Sequence, residues 1–547
     1  MGFAGLFGGG MLFPETLNTP LLKASLARVL REMPFYSGRL VFAQDGRLDV
    51  RCNDAGARFV VASTSATVAD LAAAIGSVPY GRVVSNPWMP YWPPHDIDQL
   101  WPLAAGFVMH FSGGGTALWV AAHHCCADFE SLQTLAAHWA AAYNAALAPP
   151  PQPPSRPQGA AAEASGPPAS APPPPPSSAA PAAVVPPAGS GGYQSALPEG
   201  LRAPRLVARR CGALEEPGAS QAAPPADLPP RREVAEAAWW SGLAVTAYAM
   251  YHMMWRGGGV ERRCCRVSAQ RLAELKAQAS AELAAERRAG SGSAAQGSGG
   301  SGSLSPPEPH GASPGRNSRS GGSRSGSGGS NSAGDDSGAD CAGYDLSGVE
   351  WISTNDALVA RLLQVLHSLP LRRASRLGCF VAADMRRRLQ PPLPPARLGN
   401  LLYNAHLAEL APSDTSLGRL AGCLRHALTY HLVPQFRGCL ERTTAALARV
   451  GPRRLVFAFC LERRPCDNIF APEGPVNLTN WDVQYGLWQF GPSPPLAFLP
   501  LAEIGPCVVL LYPAGAARED GVALLASMHS AAWRQLDAMG RGLSLLL

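Results

Sequence analysis

The chain has 547 residues, of which 46 are basic and 40 acidic, and its net charge is +6. Charged residues make up 16% of it, against roughly 25% in an ordinary globular domain. The composition excludes a wholly disordered chain, because apolar residues reach 46%, and it excludes a nucleic-acid binder, because the basic residues are scattered without a continuous basic face.

Helical and extended patterns alternate along the parts of the sequence that resemble a folded protein. Apolar residues at helical spacing predict a first helix over 21–31. Pairs of β-type runs around short turns predict two hairpins, one over 38–50 and one that joins 107–111 to 117–123. The remaining predicted elements are a helix over 130–146, a helix that begins with the capping box 353–356 and ends at 366, and strands over 455–460 and 508–512. The sequence therefore predicts a mixed α/β fold.

Two stretches of low complexity interrupt these patterns. Residues 149–230 are rich in Pro, Ala and Ser, and residues 290–343 are rich in Gly, Ser and Arg. Neither can bury enough apolar surface to offset the entropy of ordering, so we expect both to be disordered inserts in surface loops. Residues 237–255 carry no charge, but their His, Ser, Thr and Tyr side chains favour a buried helix or an interface over a membrane span.

Cysteine usage and the N-terminal residues bear on the compartment and on cofactors. The 13 cysteines include no C-x-x-C pair and no His/Cys spacing typical of zinc, so we expect reduced thiols and no metal site. Residues 1–13 lack the basic region of a signal peptide, which predicts a cytoplasmic protein. No phosphate-binding loop of the G-x-x-x-x-G-K-[ST] type occurs, and we expect no permanently bound cofactor.

The strongest candidate for a catalytic group lies where an apolar strand ends. His123 and His124 close this strand, and Asp128 follows four residues after His124. A strand end aims a side chain rigidly, and imidazole has a pKa near the working pH of most enzymes. The pattern His-x-x-x-Asp is weak on its own and needs context to count.

Context is provided by a resemblance that covers both ends of the chain and everything except the inserts. Residues 124–128 resemble the HxxxDG motif of the BAHD acyltransferases, the plant-type, CoA-dependent family. Further segments are similar to this family in the same order, namely 21–40, 45–62, 267–279, 352–360, 383–400, 478–495 and 520–536. The N-terminus is shorter than is usual for the family, and we expect a first strand to be missing.

The resemblance implies a fold and a division of the chain. The expected fold has two chloramphenicol-acetyltransferase-like halves, each a mixed β-sheet flanked by helices, with the active site between them. The implied segments are an N-terminal half over 11–148 with the HxxxD motif, the insert 149–230, a crossover region over 231–289, the insert 290–343, and a C-terminal half over 344–547.

The resemblance also implies a reaction. An acyl group, hydroxycinnamoyl or other, would pass from an acyl-CoA thioester to the hydroxyl or amine of a small-molecule acceptor, without an acyl-enzyme. His124 would be the general base and Asp128 its structural partner in the turn, with His123 as the rival base. Thr479 and Trp481 match the family's TSW positions, which lie beside the reacting carbonyl, so they are candidates for binding substrate and oxyanion. A strand edge with a packed Trp is the alternative for this pair.

Other positions match structural motifs of the family, and three depart from it. Gly399 and Asn400 match a Gly-Asn pair, for which we expect a structural role. Phe490 and Gly491 match the family's DFGWG segment, whereas Gln489 replaces its Asp and Pro492 replaces its Trp. In the family that Asp pairs with an Arg which Arg386 matches, so we expect Gln489 to face Arg386 without an ion pair. The third departure is Phe129, which replaces the Gly of HxxxDG.

Two other functions stay open. His123 and His124 together also fit the His-His-x-x-x-Asp core of condensation-type and wax-ester-type acyltransferases, which would imply a carrier-bound or long-chain acyl donor. The three departures are also compatible with a degenerate member that acts only as a binding protein. For the enzyme we expect acyl-CoA and a small acceptor as partners, no nucleic acid, no membrane span and a monomer.

Overall fold

Two β-sheets of mixed strand direction organise the chain. The computed structural model describes residues 6–42, 48–74, 102–124, 126–148, 258–296, 344–372, 377–410, 415–450, 455–457, 471–501 and 506–539, together with 199, 205–206, 234–236, 251, 255 and 543. All statements below concern these residues.

The first sheet has five strands and draws on both ends of the chain. In spatial order they are β15 (Ala497–Leu501), β1 (Leu6–Phe13), β6 (Thr116–His123), β5 (Ala104–Phe111) and β4 (Arg58–Thr64). Strands β4 and β5 are parallel, and the other neighbours are antiparallel. A late segment of the chain therefore completes the sheet that the N-terminal residues begin.

The second sheet has six strands. In spatial order they are β12 (Leu402–Leu410), β10 (Leu377–Asp384), β14 (Val476–Asn480), β16 (Val508–Pro513), β17 (Val522–His529) and β9 (Val260–Val267). The three strands β10, β14 and β16 are mutually parallel, and the outer pairs are antiparallel. Short two-stranded pairs complete the β-structure: β2 (Arg39–Phe42) with β3 (Leu48–Arg51), β7 (Arg205–Leu206) with β11 (Arg397–Leu398), and β8 (Val234–Glu236) with β13 (Leu455–Phe457).

Helices cover the two sheets. They are α1 (Thr19–Glu32), α2 (Val68–Ala74), α3 (Phe129–Leu147), α4 (Ala269–Gln296), α5 (Thr354–His367), α6 (Leu417–His426), α7 (Leu432–Val450) and α8 (Ser530–Ala538), with a π-helical turn over Ala427–His431 and 3₁₀ turns over Tyr485–Trp488 and Arg518–Asp520. Both sheets with their helices confirm the mixed α/β fold in two halves. Both hairpins are confirmed, as are the helices over 21–31 and 130–146 and the Ser353–Asp356 capping box.

One hydrophobic core joins the two halves. It contains Phe7 of β1 and Leu118 of β6 together with Leu510 of β16 and Leu525 of β17, all of them buried. A second core lies on the opposite face of the second sheet, where α4, α5, α6 and α8 pack. The end of β6, where the histidines lie, is therefore held at the contact between the halves.

Strand β1 was not foreseen from the sequence. A first strand was expected to be missing, and this expectation is wrong, because the glycine run forms the strand between β15 and β6. A Cβ on Gly9 would overlap the ring of Phe498, and one on Gly10 would overlap the indole of Trp119. Glycine is required here by close packing, and it removes the apolar alternation by which strands are recognised.

Two pieces of the expected inserts belong to regular structure. Residues 290–296 continue helix α4, and Arg205–Leu206 pair in parallel with Arg397–Leu398. The helix extends because propagation adds one hydrogen bond for each further residue once a helix has formed. Apart from Glu199, the rest of both inserts lies outside the described residues, as does 237–255 apart from Tyr251 and Trp255. Among the helices of the described residues, none combines the length and the apolar character needed to cross a membrane.

Candidate active site

The turn that follows β6 carries the two ends of the His-x-x-x-Asp pattern. Strand β6 ends at His123, and helix α3 begins at Phe129 with Asp128 as its N-cap. The Asp128 carboxylate accepts a hydrogen bond from the backbone N–H of Ser131 at 3.0 Å, as N-cap residues do. Five residues thus connect a rigid strand to a capped helix, and His124 lies in this tight turn.

The imidazole of His124 is held in one tautomer. Its Nδ1 lies 3.0 Å from the carbonyl oxygen of Ala127. A carbonyl can only accept, so Nδ1 carries the hydrogen and Nε2 keeps its lone pair. The ring is half-buried and stacks on Phe7, with 4.2 Å between the ring centroids. Burial lowers the pKa of His124, and the hydrogen bond to Ala127 and the charge of Asp128 offset this only in part. The ring is therefore neutral near pH 7 and has a free basic nitrogen.

Asn400 ties the histidine turn to the second half of the molecule. Its side-chain N–H donates to the backbone carbonyl of His124 at 2.8 Å, and the same nitrogen lies 3.2 Å from Nδ1 of the ring. The Asn400 carbonyl oxygen accepts from Leu402 N–H at 3.2 Å, which fixes the orientation of the amide. Asn400 lies between β11 and β12. A contact with His124 was not foreseen; the Gly-Asn pair was the only signal.

Asp128 points away from the imidazole and into a buried ion pair. Its two oxygens accept from the Arg386 guanidinium at 2.6 and 2.9 Å, and both side chains are almost fully buried, at 0% and 1% exposure. Leu401 N–H donates to the same carboxylate at 2.9 Å. A bidentate Arg–carboxylate pair is the strongest common form of ion pair. Asp128 thus joins the two halves of the molecule.

Arg386 makes further contacts on the same side. They go to Asp384 Oδ1 (2.9 Å), Ser131 Oγ (3.0 Å), Arg397 O (2.9 Å) and Gly399 O (2.9 Å). Burial lowers the pKa of Arg386, but the carboxylates of Asp128 and Asp384 reverse this and raise it. The guanidinium is therefore charged at neutral pH. Gly399 has a φ of 139°, a value that L-residues rarely adopt, so glycine fits the turn beside Ser131.

The expectation that Gln489 faces Arg386 is wrong. The backbone carbonyl of Gln489 accepts from the Asn144 side chain at 2.8 Å, and Gly491 N–H donates to the same side chain at 2.7 Å. Asn144 lies near the end of α3, 16 residues after Asp128, which is roughly 24 Å along a helix axis. A carboxylate at position 489 would be far from Arg386. Phe490 is completely buried and lies edge-on to Phe13 and Trp139, at 6.1 and 5.4 Å between ring centroids.

The other predicted substrate residues lie on the second sheet. Thr479 is half-buried on β14 and pairs with Leu510, whereas Leu478 beside it packs into the opposite core. Because side chains alternate along a strand, Thr479 lies on the face that carries Leu510, towards the first sheet. Trp481 follows β14 and is buried, with 6.2 Å between its ring centroid and that of Phe7. Phe7 therefore contacts both the ring of His124 and that of Trp481, a role for which the glycine-rich segment contains no signal.

The rival base, His123, is the last residue of β6. Its backbone N–H donates to Leu103 O at 2.8 Å. Burial, and to a lesser degree the neighbouring His124, lower the pKa of His123 to about 4. Within the described part of the chain, no three His, Cys, Asp or Glu side chains are grouped closely enough to hold a metal ion.

Part of the chain is similar in sequence to known transferases. A family model described as Transferase family matches residues 10–178. The chain is similar to a hydroxycinnamoyltransferase of Narcissus pseudonarcissus, 33% identical over 119 residues, and to putrescine hydroxycinnamoyltransferase 1 of Oryza sativa subsp. japonica, 34% identical over 123 residues. These matches cover 21% and 22% of this chain and 26% of each relative, so the chain spans about a quarter of the length of the curated relatives it matches.

Two solved structures share the fold over nearly the whole chain. The first is F. sporotrichioides TRI101 complexed with coenzyme A and T-2, with a TM-score of 0.57 at 13% identity, covering 98% of this chain and 94% of that one. The second is vinorine synthase, with a TM-score of 0.51 at 16% identity, covering 99% of this chain and 93% of that one. The resemblance to the BAHD acyltransferases that the motifs predicted is confirmed.

Proposed function

We propose that this protein transfers an acyl group from an acyl-CoA thioester to the hydroxyl or amine of a small-molecule acceptor. The observation that carries the proposal is the half-buried His124, whose Nδ1–H is engaged by Ala127 O so that Nε2 can act as a base. Two further facts support the choice of donor: the similar proteins are named hydroxycinnamoyltransferases, and a structural neighbour is complexed with coenzyme A.

The reaction needs one base and one oxyanion donor. His124 Nε2 accepts the proton of the acceptor group as its oxygen or nitrogen attacks the thioester carbonyl. The negative charge passes to the carbonyl oxygen, where a hydroxyl or indole N–H can stabilise it; Thr479 and Trp481 are the candidates. Collapse expels the CoA thiolate, which takes the proton from His124. No bond forms between the acyl group and the enzyme.

Release of free CoA tests the proposal. The protein is incubated with short-chain, long-chain and hydroxycinnamoyl thioesters of CoA in the presence of alcohol and amine acceptors, and CoA is measured together with the acylated product. Acceptor-dependent CoA release supports acyl transfer. Activity restricted to long-chain donors would favour the wax-ester-type function. No release with any CoA thioester would exclude acyl transfer from CoA and would leave a carrier-bound donor or a binding protein.

The pH dependence of the reaction should follow the lowered pKa of His124. Only the neutral ring is a base, so activity is lost when the pH falls through its pKa. Because burial lowers that pKa below the usual value of 6.5, the acidic limb of kcat/KM should be centred below pH 6.5. A pH–rate profile measured between pH 5 and 8, bracketing the usual pKa range of histidine, checks this. An acidic limb centred at or above pH 6.5 would contradict it.

Asn400 is expected to act as a positioning residue for His124. Asn400→Ala removes the hydrogen bond to the His124 carbonyl and should lower kcat about tenfold with little change in the KM for acyl-CoA, because the base is misplaced but the donor is not. Asn400→Asp should in addition move the acidic limb to higher pH, since a carboxylate beside Nδ1 favours the imidazolium form. Asn480→Ala, at an exposed position on β14, is the control. A rise in KM alone, or an unmoved limb in Asn400→Asp, would refute this role.

A further inference from the structure

Phe129 stands where the resembling family has a glycine, and its ring lies against a predicted substrate residue. The ring stacks on the indole of Trp481, with 4.4 Å between centroids and 10° between planes. Phe498 lies edge-on to both rings, at 5.9 Å from Phe129 and 6.0 Å from Trp481. Phe129 is the first residue of α3 and so has ordinary helical backbone, in which a side chain fits without strain. The exchange of glycine for phenylalanine therefore changes the space beside Trp481 and leaves the backbone path intact.

The stacked pair is part of a fixed attachment between α3 and the segment that follows β14. Gln133, one turn after Phe129, donates to Asp482 O at 3.0 Å and accepts from Gln484 N–H at 2.9 Å. Gln133 is itself buried, with 1% exposure. Residues four apart lie on the same face of a helix, so Phe129 and Gln133 hold this segment together. These two hydrogen bonds fix the backbone beside Trp481, and Phe498 packs against its ring.

The stacked pair of Phe129 and Trp481 lies close to the candidate base, His124, through the ring of Phe7. The second neighbour of Trp481 is Phe7, at 6.2 Å, and Phe7 stacks on His124 at 4.2 Å. A flat aromatic group bound near His124 gains most by stacking on an aromatic face. One face of Trp481 that could offer such a partner is covered by Phe129.

We propose that Phe129 is a specificity-determining residue, which covers one face of Trp481 and so makes the site prefer aliphatic acyl thioesters over flat aromatic ones. This inference rests on the proposed acyl transfer. It names the class of donor: the favoured acyl groups are aliphatic, and hydroxycinnamoyl groups are disfavoured. Removing the ring should open a space beside Trp481 in which an aromatic acyl group can stack.

The test compares kcat/KM for p-coumaroyl-CoA and butyryl-CoA with one acceptor. The wild type should favour butyryl-CoA. Phe129→Ala and Phe129→Gly should raise the ratio of the p-coumaroyl to the butyryl value by about tenfold, the effect of about 1.4 kcal/mol of new stacking and burial. Phe129→Tyr keeps the stacked ring and should keep the wild-type ratio. Phe490→Leu, a buried aromatic near the other end of α3, should not change the ratio either.

The outcomes separate this inference from the function on which it rests. A wild type that favours p-coumaroyl-CoA overturns the inference even if every variant at position 129 fails to fold. Equal loss with both donors in Phe129→Ala also overturns it, since that result is expected of a residue that only packs. If the wild type turns over no thioester at all, both the function and the inference fail.

Discussion

His124→Ala is expected to lower kcat by about 10² to 10⁴, the contribution of one positioned general base. The variant should keep its fold, because the ring is half-buried and makes one side-chain hydrogen bond, to Ala127, beside its stacking on Phe7. Binding of acyl-CoA should also persist, since the base acts on the acceptor. Single-turnover kinetics with circular dichroism and a binding titration of the same sample check all three expectations.

The neighbouring histidine provides the matched control for this experiment. His123→Ala removes the same chemical group one residue earlier and should leave kcat within a few fold of the wild type. If His123→Ala abolishes turnover and His124→Ala does not, the base is His123. If neither variant affects turnover, acid–base catalysis by this turn is refuted, and a covalent acyl-enzyme must be considered.

Asp128→Ala is expected to lose activity because it destabilises the fold. It leaves the Arg386 charge buried with only the partly exposed Asp384 as a carboxylate partner, and loss of one partner of a buried ion pair costs about 3–5 kcal/mol. The free energy of unfolding, measured by denaturant titration, should fall by that amount. Activity should fall with it, because the carboxylate holds the end of the His124 turn through Ser131 and Leu401. Asp128→Asn should be milder, since the amide keeps one acceptor oxygen.

Asp384 offers a control on the same guanidinium. Its carboxylate contacts Arg386 at 2.9 Å but is 32% exposed, so Asp384→Asn should change the free energy of unfolding by less than about 1 kcal/mol. If Asp128→Ala loses activity without losing stability, the carboxylate acts on the reaction directly and its structural role is refuted.

Local signals in the sequence predicted local structure well. The turn around 112–115, the Ser353 cap and the apolar spacing of α1 each reflect interactions within a few residues, and the structure has all three elements. The pattern also located the turn that contains His124 and Asp128. These features could be predicted because periodicity and capping depend on neighbours along the chain.

Contacts between distant segments could not be predicted in the same way. Arg386 was assigned to position 489 by resemblance, whereas it binds Asp128, 258 residues away in the sequence. The contact of Phe7 with His124 had no signal at all, because the glycines beside Phe7 conceal a strand. Periodicity in the sequence indicates which face of a helix or strand is buried. Which elements then contact each other depends on how the two sheets pack together.

The contacts between the two halves imply that the site is completed late in the synthesis of the chain. The histidine turn is complete only when Asn400 and Arg386 have arrived, and the edge of β1 stays unpaired until β15, near the C-terminus, lies along it. During synthesis, a chain that ends before these residues has the base but lacks the groups that orient it. An uncovered strand edge is also a template for association with other chains. A product truncated before these residues is therefore expected to be inactive and to leave the edge of β1 open to other chains.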